Sequence, residues 1–232
     1  MNPAIYIILG APNSGRREIV YDLIDGGLMP DKKVSVYISP EEPSCPFDNR
    51  IARREHTEVL PWQLDDGDIL ANSIPEEVDA VFFVTEGMLN PVDQLEALKD
   101  WLDAQGLEVT RILTVVNCGY AFEHEALEAW YAACIHFSDC TLLNYRDGLP
   151  GSWIHDFKKP FQDECYPCLF ENVKNGRLAN PPAILEPEAR RISLAFDIID
   201  DEDETPEEDI YFARQSNGAR TKPIPELATY LA

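Results

Sequence analysis

Ala4-Ile-Tyr-Ile-Ile-Leu-Gly10-Ala-Pro-Asn-Ser-Gly15-Arg16-Arg17-Glu-Ile-Val-Tyr-Asp-Leu-Ile24 carries the reading of the fold. Ala4–Leu9 is an apolar run of strand length, and Ile19, Val20, Leu23 and Ile24 then fall on one stripe of a helix expected over Arg17–Ile24. Between them stand two glycines separated by four residues. A strand that passes through such a turn straight into a helix offers backbone N–H groups and a partly positive helix end to an anion. The full phosphate-loop pattern is G-x-x-x-x-G-K-[ST]. Here Arg16 stands for the lysine and Arg17 for the hydroxyl residue. Losing the hydroxyl removes a direct ligand for the Mg²⁺ that bridges phosphates during transfer. Arg16 keeps the charge, but a planar fork does not reproduce a point charge. Gly10, Asn13, Ser14, Gly15, Arg16 and Arg17 are the candidate phosphate-holding residues. The plain alternative is a glycine-rich strand–helix turn.

Outward from this stretch the chain alternates short apolar runs with helical patterns, which predicts an α/β fold. Strands are expected at Lys33–Ser39, around Glu58–Leu60, and at Val78–Val84, Arg111–Val116, Thr141–Asn144 and Tyr166–Phe170. Helices are expected at Pro91–Gln105, where Leu95, Leu98 and Leu102 repeat at helical spacing, and at Glu123–Phe137. Gly26-Gly27 and Gly106 read as helix stops. Residues 40–75 are rich in Pro, Asp and Glu. From Asn180 the character changes. Pro181, Pro182 and Pro187 read as a linker-like break, and the alternation of Ile192, Leu194, Phe196 and Ile198 predicts a strand. The acidic run 200–209 reads as a solvated or disordered loop. The expected architecture is a P-loop NTPase-like, mostly parallel sheet with flanking helices, plus a short C-terminal β element and an acidic tail. The expected division is 1–180 for the nucleotide-binding domain and 181–232 for linker, strand and tail.

Three further segments, in order along residues 4–178, resemble those of CobW-type P-loop GTPases, relatives of UreG and HypB. Asp79–Pro91 is similar to the family's strand and switch pattern D-x-x-x-x-E-T-S-G-x-x-D-P. Thr85, Gly87 and Pro91 match, while Val84, Glu86 and Asn90 stand at the Glu, Ser and second Asp. Leu113–Cys118 resembles a strand ending V-V-D-A, with Asn117 at the Asp. Phe137–Leu149 resembles A-D-x-x-L-L-N-K-x-D-L, the guanine-reading motif, with Asn144 and Asp147 kept and Tyr145 at the lysine. The resemblance implies that Asn144 and Asp147 read a guanine base, and that GTP or GDP is the cofactor. It also implies that Thr85 and Gly87 belong to a switch and that the work is delivery of a metal or metal cofactor to a protein client. In it Glu86 is a candidate base or water-orienting residue; its plain reading is a surface acid. The family's G-C-x-C-C motif is absent, with only Cys45 and His56 in that region.

Acids outnumber bases 42 to 19 in 232 residues, a formal charge of −23. That balance opposes nucleic-acid and anionic-membrane partners. No segment approaches the ~20 apolar residues of a membrane span. The first ten residues show neither a basic start nor a cleavage pattern, so a cytoplasmic address without signal peptide is expected. The six cysteines read as reduced thiols. Cys165 and Cys168 form a C-x-x-C without a second pair, a weak candidate for Zn²⁺ or another transition metal. The four histidines form no HxH or HExxH pattern.

Two functions remain. In one the chain binds guanine nucleotide with weak or absent GTPase activity, and Arg16 and Arg17 present their charge to phosphate. In the other it is a pseudo-GTPase scaffold for protein contact, and the arginines pair with acids such as Glu18 or Glu86.

Overall fold

Eight strands form a single sheet in a computed structural model that describes residues 2–197 and 209–231. In chain order the elements are β1 (Ala4–Leu9), α1 (Arg16–Gly27), β2 (Val34–Ile38), α2 (Pro46–Ala52), β3 (Thr57–Asp65) and β4 (Asp68–Ala71). They continue with β5 (Ala80–Val84), α3 (Pro91–Asp103), β6 (Arg111–Asn117), α4 (Cys118–Glu123), α5 (Glu125–His136) and β7 (Cys140–Asn144). The last are α6 (Trp153–Asp163), β8 (Leu169–Asn172), α7 (Pro181–Ile184) and a 3₁₀ turn at Leu227–Thr229. The sheet order is β4-β3-β2-β5-β1-β6-β7-β8, and every pairing is parallel except β3 with β4.

The expected mostly parallel α/β architecture is therefore present. β5, β6 and β7 are buried on both faces, because helices cover both sides of a parallel sheet. One face carries Ile5, Ile7, Phe83, Ile112 and Leu143 against α3 and α5. The other carries Tyr6, Ile8, Val36, Phe82 and Leu113 against α1 and α7. The helices that follow β1 and β5 thus leave to opposite faces. A crevice opens where adjacent strands do this, at their carboxyl ends, and it is the usual ligand position in open α/β sheets. The loop 10–15 and the segment 85–90 line it.

α1 includes Gly26 and ends at Gly27, the expected stop. A Cβ at Gly27 would lie 2.6 Å from Leu185 Cδ1, so this glycine provides the close approach that α7 needs. Several local expectations are corrected. The Pro181–Pro187 stretch is docked, not free: Tyr6 Oη donates to Leu185 O at 2.9 Å and Arg111 Nη1 to Ile184 O at 2.8 Å. The helix expected at Glu123–Phe137 breaks at His124, and α2, α6 and the β3–β4 hairpin are additional elements.

The strand expected over Ile192–Ile198 does not form in its described part, through residue 197. The alternation is real but inverted. Arg191 and Ser193 are buried, whereas Ile192 and Leu194 are exposed. Arg191 Nη1 reaches Asp139 Oδ2 at 3.0 Å, and Ser193 Oγ reaches Asp209 Oδ2 at 2.6 Å. Polar side chains thus fasten this strap. The run 200–208 lies outside the described residues. Asp209 is not solvated, since His136 Nε2 meets its carboxylate at 2.8 Å. Among the described residues the C-terminal β structure is an isolated antiparallel bridge between Arg214 and Arg220. No helix of the described residues is long and apolar enough to cross a membrane.

Candidate nucleotide site

The loop after β1 is held open as an arch by two asparagines from neighbouring strand ends. Asn144 Nδ2 donates to Ser14 O and Asn117 Nδ2 to Asn13 O, each at 3.0 Å. Gly15, at φ +91°, turns the chain into α1, and a Cβ there would lie 2.6 Å from Asn144 Nδ2. Both the left-handed backbone and the contact require glycine. The first-turn amides of α1 have no partner within the helix, so the loop keeps the donor chemistry of an anion cradle.

The two arginines do not present free charge to that cradle. Arg16, buried, donates through Nη1 to the Thr85 carbonyl and through Nη2 to Glu42 Oε1 at 2.5 Å. Arg17 grips both Asp48 oxygens at 2.9 Å and donates to Pro43 O at 2.7 Å. They pair with acids, as the scaffold reading expects, but the acids are Glu42 and Asp48 rather than Glu18 and Glu86. The β2–α2 connection supplies Glu42 and the first turn of α2 supplies Asp48. A Mg²⁺ ion does not fit here. The side chain at the hydroxyl position is a cation already paired, and it would repel a divalent ion.

The segment after β5 closes onto the same place. Thr85 is buried, with its N–H and Oγ1 both 3.1 Å from Ile8 O. A Cβ at Gly87 would lie 2.6 Å from both Arg16 Nη2 and Pro12 N. Only glycine lets this segment lie on the loop, and its N–H donates to Glu42 Oε1 at 2.7 Å. Glu86 is half-buried rather than a surface acid, and Ser39 Oγ donates to it at 2.7 Å. Burial pushes its carboxyl up from its ordinary range; Glu42 and Glu41 push the same way, while Ser39 and Arg16 oppose.

At the end of β7, Asn144 is buried and also accepts from the Tyr145 N–H at 3.0 Å. Tyr145, at φ +52°, is exposed beside a cavity of about 240 Å³ lined by Asn13, Gly15, Arg17, Glu18 and Phe47. Its hydroxyl lies 3.4 Å from Glu18 Oε2. Asp147 is exposed on the following turn. Sequence reasoning missed Glu42 and Asp48. Nothing local marks them within an acidic, proline-rich stretch, and only the topology brings them to the loop.

The cysteine pair gains no third ligand. Among the described residues no group of three or more His, Cys, Asp and Glu side chains could hold a metal. Cys165 is exposed. Cys168 is buried against Thr141 Oγ1 at 3.3 Å, and burial pushes its thiol up to about 12.

No protein-family model matches the chain, and no curated protein matches it. Among solved structures it is similar to the Zn(II)-bound YjiA GTPase from E. coli, at 13% identity and TM-score 0.45, over 78% of this chain and 63% of that one. A Zn(II)-bound triple mutant of YjiA gives 14% identity, TM-score 0.46 and the same coverage of 78% and 63%. A LAO/AO transport system kinase gives 14%, TM-score 0.43, and 74% and 53% coverage. The chain thus spans less than two thirds of these proteins. These are likenesses of fold at TM-scores below 0.5, and the P-loop-like α/β architecture stands on this chain's own strand order and on the loop between β1 and α1.

Proposed function

We propose that residues 1–180 form a CobW-like, guanine-nucleotide-binding P-loop domain in which hydrolysis is slow or lost. The observation that carries this reading is the arch of residues 10–15, tied to the ends of β6 and β7 by Asn117 and Asn144. Asp147 and Tyr145 stand on the adjacent rim. In this reading GTP or GDP lays its phosphates along the first turn of α1, and Asp147 pairs with the guanine edge. Tyr145 covers the base, and Gly87 and Thr85 form the surviving switch. Hydrolysis is disfavoured because phosphoryl transfer depends on positioning and charge neutralisation, while Arg17 stands where a Mg²⁺ ligand would be. The arrangement of the cysteines lends no support to metal delivery.

Calorimetry with GDP, GTP and ATP tests this reading. Guanine nucleotides bind in preference to ATP, and Asp147→Ala erases the preference, because a site that pairs a base edge rejects analogues that leave groups unpaired. Equal binding of all three, or none, removes the reading. Single-turnover hydrolysis at the rate of an ordinary GTPase would remove its second half.

The pairing of both guanidiniums with Glu42 and Asp48 favours a second reading, a pseudo-GTPase scaffold acting on a protein partner. It is separated from the first by thermal shift at millimolar nucleotide. A true site stabilises the fold by mass action, and a vestigial one does not.

A further inference from the structure

Two donors from separate elements converge on one carboxylate, with a second guanidinium beside it. Glu42 Oε1 receives Arg16 Nη2 at 2.5 Å and the Gly87 N–H at 2.7 Å, and Glu42 Oε2 lies 3.5 Å from Arg17 Nη2. The Arg16 side chain is 6% exposed and that of Glu42 11%. Glu42 belongs to neither donor element; it reaches in from the β2–α2 connection. A buried guanidinium nitrogen of Arg16 and a backbone amide aimed at one oxygen make an anion seat, with the Arg17 guanidinium, whose fork holds Asp48, beside it. The Gly87 amide can enter it only because that residue has no Cβ, which would strike Pro12 N and Arg16 Nη2 at 2.6 Å. Inside the loop, Ser14 Oγ is 1% exposed and has no hydrogen-bond partner among the described residues.

We propose that the Glu42 carboxylate is a built-in stand-in for the terminal phosphoryl group of a polyphosphate ligand, and that it sets the number of phosphates the loop accepts. With Glu42 seated, the donors that a third phosphoryl group would need are already satisfied by a bound anion. A nucleoside diphosphate leaves Glu42 in place. A triphosphate must expel it and bring more negative charge past Glu18, Glu41 and Glu86. The nucleotide part rests on the reading above; the anion seat does not. Removing the carboxylate leaves Arg16 buried without its counter-ion, a state that any small tetrahedral oxyanion relieves.

The test uses the full chain, wild type and Glu42→Ala, in thermal melts with inorganic phosphate against chloride at equal ionic strength. Calorimetry with GDP and GTP runs in parallel. Glu42→Ala melts several degrees lower in chloride and recovers most of the loss in phosphate, whereas wild type shifts little. Adding Arg16→Met to Glu42→Ala abolishes the recovery. The affinity ratio of GTP to GDP rises at least tenfold from wild type to Glu42→Ala. Selective recovery without nucleotide binding by either form sustains the anion seat and removes the nucleotide reading. Nucleotide binding with an unchanged ratio, and phosphate acting equally on both forms or on neither, overturns the stand-in while the nucleotide reading stands. If Glu42→Ala does not fold, Glu42→Ser carries the same comparisons, since its short side chain also vacates the seat and removes the charge.

Discussion

Asn144 Nδ2 donates to the Ser14 carbonyl oxygen at 3.0 Å, a buried hydrogen bond between residues 130 positions apart. It ties the end of β7 to the crown of the loop after β1. Asn144→Ala removes the donor and leaves that carbonyl buried without it. A cost of ~1–3 kcal/mol in urea denaturation is expected. Faster amide exchange should be confined to the loop, around residues 11–15. Unchanged exchange there would show that the loop does not depend on this bond.

Gly87→Ala should be costly although the position is not left-handed. Its Cβ would meet backbone at Pro12 and the guanidinium of Arg16, so the segment after β5 must lift from the loop. Overpacking of this kind costs ~1–3 kcal/mol. A denaturation midpoint equal to wild type would contradict the close approach.

The pair Arg191–Asp139 fastens the C-terminal strap at the sheet. Asp139 Oδ2 also accepts from the Ile112 N–H at 2.7 Å, and Oδ1 from the Arg190 N–H at 2.6 Å. Asp139 is fully buried, and the Arg191 side chain is 3% exposed. Arg191 keeps Asp197 as a second carboxylate, so Asp139→Ala does not leave its charge alone; it takes the acceptor from the Ile112 and Arg190 N–H groups. Leaving a buried donor unpaired costs ~1–3 kcal/mol, so Asp139→Ala should cost at least that much, and denaturation measurements on the variant check it.

These positions show where the sequence is legible. The apolar runs at Ala4–Leu9 and Val78–Val84 locate buried strands because parallel strands covered on both faces need no alternation. The β3–β4 hairpin is signalled by Asp66-Gly67, both with positive φ, a two-residue turn of the kind that joins antiparallel strands. Its flanking acids and proline hide it. α6 is hidden by Pro160 in its interior. The strap at 190–197 misleads because its alternation is read by the apolar residues, whereas Arg191 and Ser193 are the ones that turn inward. Asn144 and Arg16 are legible as residues that meet at the loop after β1. Glu42 is not, since its role exists only once β2 lies beside β5.

Stability should depend on acid in two opposite ways. Burial works against ionisation of Asp209, but hydrogen bonds from His136, Ser193 and the Tyr211 N–H outweigh it and hold its carboxyl below 3.8. A lowered acid contributes stability above its unfolded value and loses it as pH falls through the folded value. Glu86 is raised above 4.5, mainly by burial. The native state then keeps its proton longer than the unfolded one, and stability falls as pH rises from 4.5 through the folded value. Asp209→Asn should remove part of the loss in strong acid. Glu86→Gln should flatten the decline above 4.5. Urea titrations from strong acid to neutral pH check both signs.

The hairpin that ends the sheet at β4 also bears on how these molecules meet one another. β4 is four residues long, and Asp65 stands opposite Asp68 across the turn that contains Asp66. An open strand edge is a template for pairing with another chain, and short length and charge are what blunt it. A second molecule approaching edge to edge would add its own three aspartates to these, on a chain already carrying −23. This border of the sheet therefore resists fibre growth by repulsion, and the resistance weakens as salt screens the charges.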